Sequence, residues 1–353
     1  YCASIVLWSV FTLLQGAVAG LGAALAVPVL FMLRALVGAA EGPSFPGNGR
    51  IVADWFPARE RGTASAIFNS AQYLATAIFA PVMAVIITLL GWPWTFYLMG
   101  ALGLVMAAIW LGVVYDPDAH PRVGQAELRH IRAGGALAGT DAAQTPGGVS
   151  WSQVRRLLRN RMFLGICVAQ YCISTLTYFF LTWFPVYLVQ QRGMSILNAG
   201  LVAAVPALCG FGGGLLGGVI SDVLLRSGVS LTWARKIPII AGMLMSVSMI
   251  ACDYVTAQWL VVAVMALAFL GKGVGALGWA VVSDVAPPGG TGLCGGIFNT
   301  FGNIAGITTP IVIGGLVQGS GSFDGALVFV GANAVVAMLS YLLVVGTICR
   351  LDP

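Results

Sequence analysis

Arg34–Gly62 reads RALVGAAEGPSFPGNGRIVADWFPARERG. No charge precedes Arg34 in the chain, and the next one, Glu41, follows seven residues later in an otherwise apolar run. The composition around these two residues makes them costly. Of 353 residues, 59% are hydrophobic and 8% charged, and mean hydropathy is +0.93. A soluble domain carries about a quarter charged residues. The sequence is that of an all-α, multi-pass membrane protein, whose helices satisfy their own backbone groups in lipid. A charge at the bilayer centre costs about 2.5–3.5 kcal/mol on insertion scales. Seven helical residues turn through about 700° and rise about 10.5 Å. Arg34, Glu41 and Asn48 are therefore expected on one helix face, with Gly38 and Phe45 between them. That face lines a watery cavity, or the charges form a structural ion pair.

Composition excludes several functions. The net charge of +5 is small, and no basic tract fits nucleic acid. The seven cysteines form no CxxC and read as small buried hydrophobes. Both histidines, His120 and His130, fall in one polar stretch, which leaves no membrane-embedded metal site. HExxH, GxSxG and P-loop motifs are absent, so an enzyme is not expected, and no cofactor or metal is implied. A membrane receptor is the remaining non-transport alternative.

Apolar runs of spanning length recur about ten times. Helices are expected near 3–20, 25–53, 62–89, 93–114, 162–190, 195–225, 236–253, 256–283, 290–318 and 324–348. The polar interval 115–161 reads as a cytoplasmic linker with one or two short surface helices. It separates a partial first half, 1–114, from a second half, 162–353. With Tyr1 on the cytoplasmic side, Arg50, Arg59, Arg61, Arg122, Arg129, Arg132, Arg155, Arg156, Arg159, Arg161, Arg226, Arg235, Lys236 and Arg350 all fall inside, and only Arg192 falls outside. The excess of cytoplasmic lysine and arginine in membrane proteins fixes that orientation.

The chain repeats itself. Val52-Ala-Asp54-Trp-Phe-Pro57 resembles Val282-Ser-Asp284-Val-Ala-Pro287, and Ile67-Phe68-Asn69 resembles Ile297-Phe298-Asn299, both 230 residues on. Pro81 and Pro310 follow the second pair at nearly equal distance. Two parallel six-helix halves give such an offset, and substrate sites in such transporters lie near the midplane. Projecting the second half back by the same offset places two further helices, about seventy residues, before Tyr1. The given stretch alone is then not expected to transport.

Lys272 interrupts LAFLGKGVGALGWA in mid-helix, with Trp279 seven residues on. The 230-residue offset sets Lys272 against Gly42, level with Glu41 in the other half. It reads as a functional cation or as a lysine snorkelling to the interface. Asn69, Gln72, Tyr73 and Thr76 recur at helical spacing, as do Gln170, Ser174, Thr177 and Tyr178, and Asn299 with Asn303. Each set fits a cavity lining or ordinary interhelical hydrogen bonding. Asp222, Arg226, Asp54 and Asp284 lie at cytoplasmic helix ends and suggest a conformational latch.

AEGPSFPGNGRIVADWFPARERGTASAIFNSAQYLATAIFAPVMA resembles the anion:cation symporter branch of the major facilitator superfamily, and within it the bacterial glucarate/galactarate permeases. The likeness continues through QYCISTLTYFFLTWFPVYLVQQRGMSILNAG, FLGKGVGALGWAVVSDVAP and ITTPIVIGGLVQGSGSFDGAL, and so covers essentially the whole chain. It implies proton-coupled symport of a sugar-derived acid by a monomeric inner-membrane protein, through alternating access. It also implies Arg34 as a ligand for the substrate carboxylate, Glu41 as the proton carrier, and Gln72, Trp279 and Asn299 as cavity residues. Asn69, Tyr178 and Asn303 are further candidates for the lining. Another organic anion, such as an aldonate, hexuronate or aromatic acid, is the alternative substrate.

Overall fold

The structure is a computed structural model that describes residues 1–56, 61–133, 151–287 and 290–351; the side chains of 45, 46, 49, 50, 53, 61–70, 73 and 291 are outside that description. Regular structure among these residues is helical throughout. The helices are α1 (Cys2–Ala17), α2 (Ala23–Glu41), α3 (Ser44–Trp55), α4 (Arg61–Leu90), α5 (Pro93–Val113), α6 (Gln125–Ala133) and α7 (Trp151–Arg159). They continue with α8 (Arg161–Tyr178), α9 (Phe184–Gln190), α10 (Ile196–Arg226), α11 (Leu231–Val247), α12 (Gln258–Val274), α13 (Gly278–Val285), α14 (Thr291–Ser320) and α15 (Asp324–Leu339). Among the described residues, nine helical stretches are long and apolar enough to cross a membrane, and Leu74–Leu90 of α4 is a shorter tenth. Large apolar side chains such as Phe31, Leu89, Ile307 and Leu343 are exposed, as a lipid-facing surface requires.

The chain divides into two compact units, Tyr1–Asn69 with Val82–Ala143, and Ser70–Pro81 with Gln144–Pro353. In the first unit α1 packs on α5 and α2; in the second α11 packs on α15 and α12. The sequence repeat is therefore a structural one. α4 and α14 are each 30 residues long and start 230 residues apart. α1 and α11 both end in a 3₁₀ turn, at Val18–Gly20 and Ser248–Tyr254. α3 and α13 end at Trp55 and Val285, again 230 apart.

Two of the expected helices are broken. The helix expected over 25–53 stops at Glu41 and restarts at Ser44. Gly42 and Pro43 stand at the join, where glycine is a poor helix former and proline supplies no N–H. Asn48 consequently belongs to α3, not to the helix of Arg34 and Glu41, and its carboxamide accepts a hydrogen bond from the Tyr1 hydroxyl at 2.9 Å. The helix expected over 256–283 stops at Val274 and restarts at Gly278, which puts Lys272 and Trp279 on different helices. The run 162–190 continues through a π-helical turn at Phe179–Trp183 instead of a uniform α-helix. The interval 115–161 holds two short helices, α6 and α7, where one or two are expected, while 134–150 lie outside the described residues.

Glycine packing fixes the second unit. A methyl group on Gly213 would collide with the carbonyl oxygen of Leu270, and one on Gly217 with that of Val274. Across the other side of α12, a methyl on Gly242 would strike the Gly271 carbonyl oxygen. α10, α12 and α11 therefore touch backbone to backbone, as small residues permit in membrane helices. α8 starts on a side-chain cap, Asn160 accepting from the Phe163 N–H at 3.1 Å. Of the cysteines, Cys167, Cys172, Cys252 and Cys294 are buried, and all seven are free thiols.

This packing separates glycines that matter from glycines that do not. Gly217→Val should lower the thermal stability of the detergent-solubilised protein by about 1–3 kcal/mol, the cost of overpacking a close contact. Gly218→Ala, with nothing within 4 Å of the added carbon, should leave stability unchanged or slightly raised. Equal melting temperatures for the two variants would show that the α10–α12 contact is not required.

Candidate functional site

Arg34 lies on α2 and is exposed; its guanidinium sits over the ring of Phe96 from α5, 5.6 Å from the centroid. Glu41 is the last residue of α2, exposed, two turns along the same face. Gln72 is exposed on α4. The side chain of Asn69, on the same helix, lies outside the described residues, as does that of Tyr73.

The second unit holds Lys272, only 2% exposed. Its ammonium group lies 5.6 Å from the centroid of the Phe269 ring, one turn back on α12. A cation over an aromatic face gains electrostatic stabilisation that grows with desolvation. Phe269 in turn stacks on Phe180 of the π-helical turn, centroids 4.2 Å apart. The ring that supports the lysine is thus fixed by packing. Flanking residues Gly271 and Gly273 face the backbones of α11 and α10 respectively, so Lys272 stands on a segment clamped from both sides. A lysine snorkelling to the surface would expose its amine; this one is buried.

Beyond the α12 break, Trp279 is half-buried and packs edge-on against Phe298 of α14, centroids 5.0 Å apart. The Gln170 amide donates to Ser174 at 3.3 Å and sits beside Gly302 of α14 and Gly278, the first residue of α13. The ring of Tyr178 fills the space over Gly306, where an added methyl would lie 2.6 Å from it. Asn299 is half-buried on α14, and the exposed Asn303 donates its amide to the Asn299 carbonyl at 3.0 Å. Tyr171–Thr308 (2.8 Å) and Thr175–Thr309 (3.3 Å) complete a polar seam between α8 and α14. The second unit thus gathers Gln170, Trp279 and Phe298 around the start of α13. Thr177 turns back to the Ile173 carbonyl at 3.1 Å.

Of the charged residues at these helix ends, the structure brings Asp222 and Asp284 together with a residue whose role the sequence did not reveal. Arg235, at the start of α11, donates to Asp284 at the end of α13 (2.8 Å) and to the Ser221 hydroxyl of α10 (2.9 Å). Asp222 is a more distant partner at 3.9 Å. Arg226, grouped with these aspartates on sequence alone, makes no ion pair among the described residues. On the opposite side, Arg192 donates to the Tyr187 hydroxyl (2.8 Å) and to the carbonyls of Cys252 (2.7 Å) and Val255 (2.9 Å). The one signal for it was its isolation as the sole outward basic residue. No group of three or more potential metal ligands occurs among the described residues.

A bundle of spanning helices, built twice over and broken within corresponding helices, is the build of a membrane transporter. A sequence model described as Major Facilitator Superfamily matches residues 1–234, and the chain belongs to that family. It is 61% identical to the probable galactarate/D-glucarate transporter GudP of Bacillus subtilis (strain 168), over 98% of this chain and 77% of that protein. It is 57% identical to the probable galactarate/D-glucarate transporter GudP of Escherichia coli (strain K12), over 100% of this chain and 79% of that one. Its fold is similar to the proton:xylose symporter XylE, with TM-score 0.64 at 14% identity, covering 99% of this chain and 81% of that one. The protein is a transporter and not an enzyme.

A double-substitution cycle tests the latch. Arg235→Gln leaves the half-buried Asp284 unpaired and should destabilise the solubilised protein, while adding Asp284→Asn should recover part of the loss. A coupling of about 1–3 kcal/mol is expected for residues in one hydrogen-bonded pair. Strictly additive losses in thermal unfolding would show that the pair contributes nothing.

Proposed function

We propose that the intact transporter moves a sugar-derived dicarboxylate, of the glucarate or galactarate type, across the inner membrane with a proton by alternating access. The observation that carries this reading is Lys272, a cation near the middle of the span Gln258–Val285, 2% exposed and held over Phe269. The names of the two relatives, both probable galactarate/D-glucarate transporters, support the same substrate class. In this reading residues 1–114 and 162–353 are the two halves joined by 115–161, and the transporter works as a monomer.

Arg34 holds one carboxylate of the substrate in its planar fork, a geometry that lysine does not reproduce. Lys272 takes the other. A second carboxylate gives this desolvated ammonium an opposite charge to bind, and a monoacid lacks it, so the diacid gains the larger share of affinity. Gln72, Trp279 and Asn299 contact the hydroxylated backbone of the sugar acid, with Asn69, Tyr178 and Asn303 lining the path. Glu41 carries the proton, since a carboxyl that faces alternating surroundings in the transport cycle changes its proton affinity with them.

Two measurements test the roles. In competition for uptake, Lys272→Gln should weaken glucarate at least about tenfold, or 1.4 kcal/mol, and gluconate by less than about threefold. Equal losses for both acids would make Lys272 structural or ion-coupling. Glu41→Gln should abolish uphill accumulation driven by a proton gradient while retaining counterflow of bound substrate. Undiminished accumulation with unchanged pH dependence would remove the proton from Glu41.

A further inference from the structure

α7 is an amphipathic helix whose two faces have different fates. Its sequence is WSQVRRLLR, residues 151–159, and it leads through Asn160 directly into the spanning helix α8. Leu157 is buried in the core of the second unit, and Val154 and Leu158 are half-buried beside it. The helix packs on α8 and α14 with that side. Trp151, Arg155 and Arg159 are spaced four apart, so they fall within about 80° of one another around the axis. All three are exposed, Trp151 at 77%. Neither Arg155 nor Arg159 makes a hydrogen bond or ion pair among the described residues. The apolar side of α7 is thus spent on the protein; Ser152, Gln153 and Arg156 are exposed and engaged within the protein, and the stripe beside them is a tryptophan followed by two arginines without a hydrogen bond or ion pair among the described residues.

Position decides what this stripe meets. Asn160 caps the first turn of α8, so α7 lies at the membrane edge and not far out in solvent. Counting spans through the second unit brings the starts of α8, α11 and α14 to the same side. The basic residues Arg226, Arg235, Lys236 and Arg350 belong to that side too, while Arg192 is alone on the other. Lysine and arginine mark the cytoplasmic side. Tryptophan prefers the headgroup level of a membrane, where one edge of its ring is wet and the body apolar. Unpaired arginines at the same level face the phosphates of anionic lipid.

We infer that α7 is a membrane-surface anchor that recognises anionic phospholipid headgroups of the cytoplasmic leaflet, with Trp151 at the interface and Arg155 and Arg159 on lipid phosphates. The charge complementarity is specific to the stripe. Arg161, next in the chain, already donates to the Leu343 carbonyl at 2.7 Å and is committed to the fold.

The fluorescence of Trp151, isolated as the difference between the protein and its Trp151→Phe variant, reads the contact in reconstituted vesicles. In vesicles containing phosphatidylglycerol, Trp151 should be quenched by lipids brominated near the headgroup and shielded from aqueous iodide. In pure phosphatidylcholine the iodide quenching should rise about threefold. Arg155→Gln with Arg159→Gln should give the phosphatidylcholine result in both vesicle types while transport-competent folding, read by the melting temperature, is kept. Inorganic phosphate at millimolar concentration should not displace the lipid. Iodide quenching that is high in wild type whatever the lipid would overturn the anchor, and headgroup quenching unaffected by the two arginine substitutions would overturn the recognition of charge. Relief of lipid quenching by inorganic phosphate would show a free-anion site instead.

Discussion

Backbone contact at α12 is the constraint on which the second unit depends. Lipid tails are as apolar as leucine, so helices in a bilayer are not driven together by burial of apolar surface. They are held by dispersion contacts, which require close approach. Gly210, Gly213 and Gly217 on α10 and Gly242 on α11 provide it, meeting Gly271, Gly273, Leu270 and Val274 on α12. The same choice has a second effect. Glycine costs roughly 1 kcal/mol of helix propensity relative to alanine, and Gly271, Gly273 and Gly275 fall within five residues. α12 ends at Val274, among those glycines. The residues that permit close packing also end the helix, and Lys272 stands where both happen.

Polar groups elsewhere in this unit are spent on structure. Ser246 donates to the carbonyls of Gly242 and Ala268, and Ser340 to that of Gly165, each at under 3 Å. Arg192 and Arg235 work at opposite ends of the spans. Arg192 donates to two carbonyls at the end of the 3₁₀ turn after α11, those of Cys252 and Val255. Arg235 binds three helices at one point through Ser221 and Asp284. Charges at span ends stabilise the folded unit, while Arg34 and Lys272 stand farther from those ends.

The repeat shows how far a pattern in the chain reaches into three dimensions. Short matches around Asp54 and Asp284, and around Asn69 and Asn299, gave the 230-residue offset, and the helix bounds obey it. Equivalent helices nonetheless carry different chemistry. The break after α2 is made by Gly42 and Pro43, that after α12 by a glycine series. Arg34 precedes the first break by two turns and is exposed; Lys272 precedes the second by less than one and is buried. The latch is asymmetric too, because Arg235 has Ile5 as its counterpart in the first repeat.

The sequence by itself determined the class, the apolar spans and the repeat, because all three follow from one-dimensional quantities: hydropathy over a fixed length and self-similarity. It also singled out Arg34, Glu41 and Lys272, since charge within an apolar run is visible in one dimension. What it could not supply was which polar residues meet. Helical spacing put Asn48 with Arg34 and Trp279 with Lys272, and helix breaks of two and three residues separated both pairs. Periodicity assumes a continuous helix, and a short interruption rotates everything beyond it. Arg235 rather than Arg226 pairs with Asp284 because the partners, Ser221 and Asp284, come from α10 and α13, distant in the chain. Only tertiary packing decides which of two nearby arginines points at them.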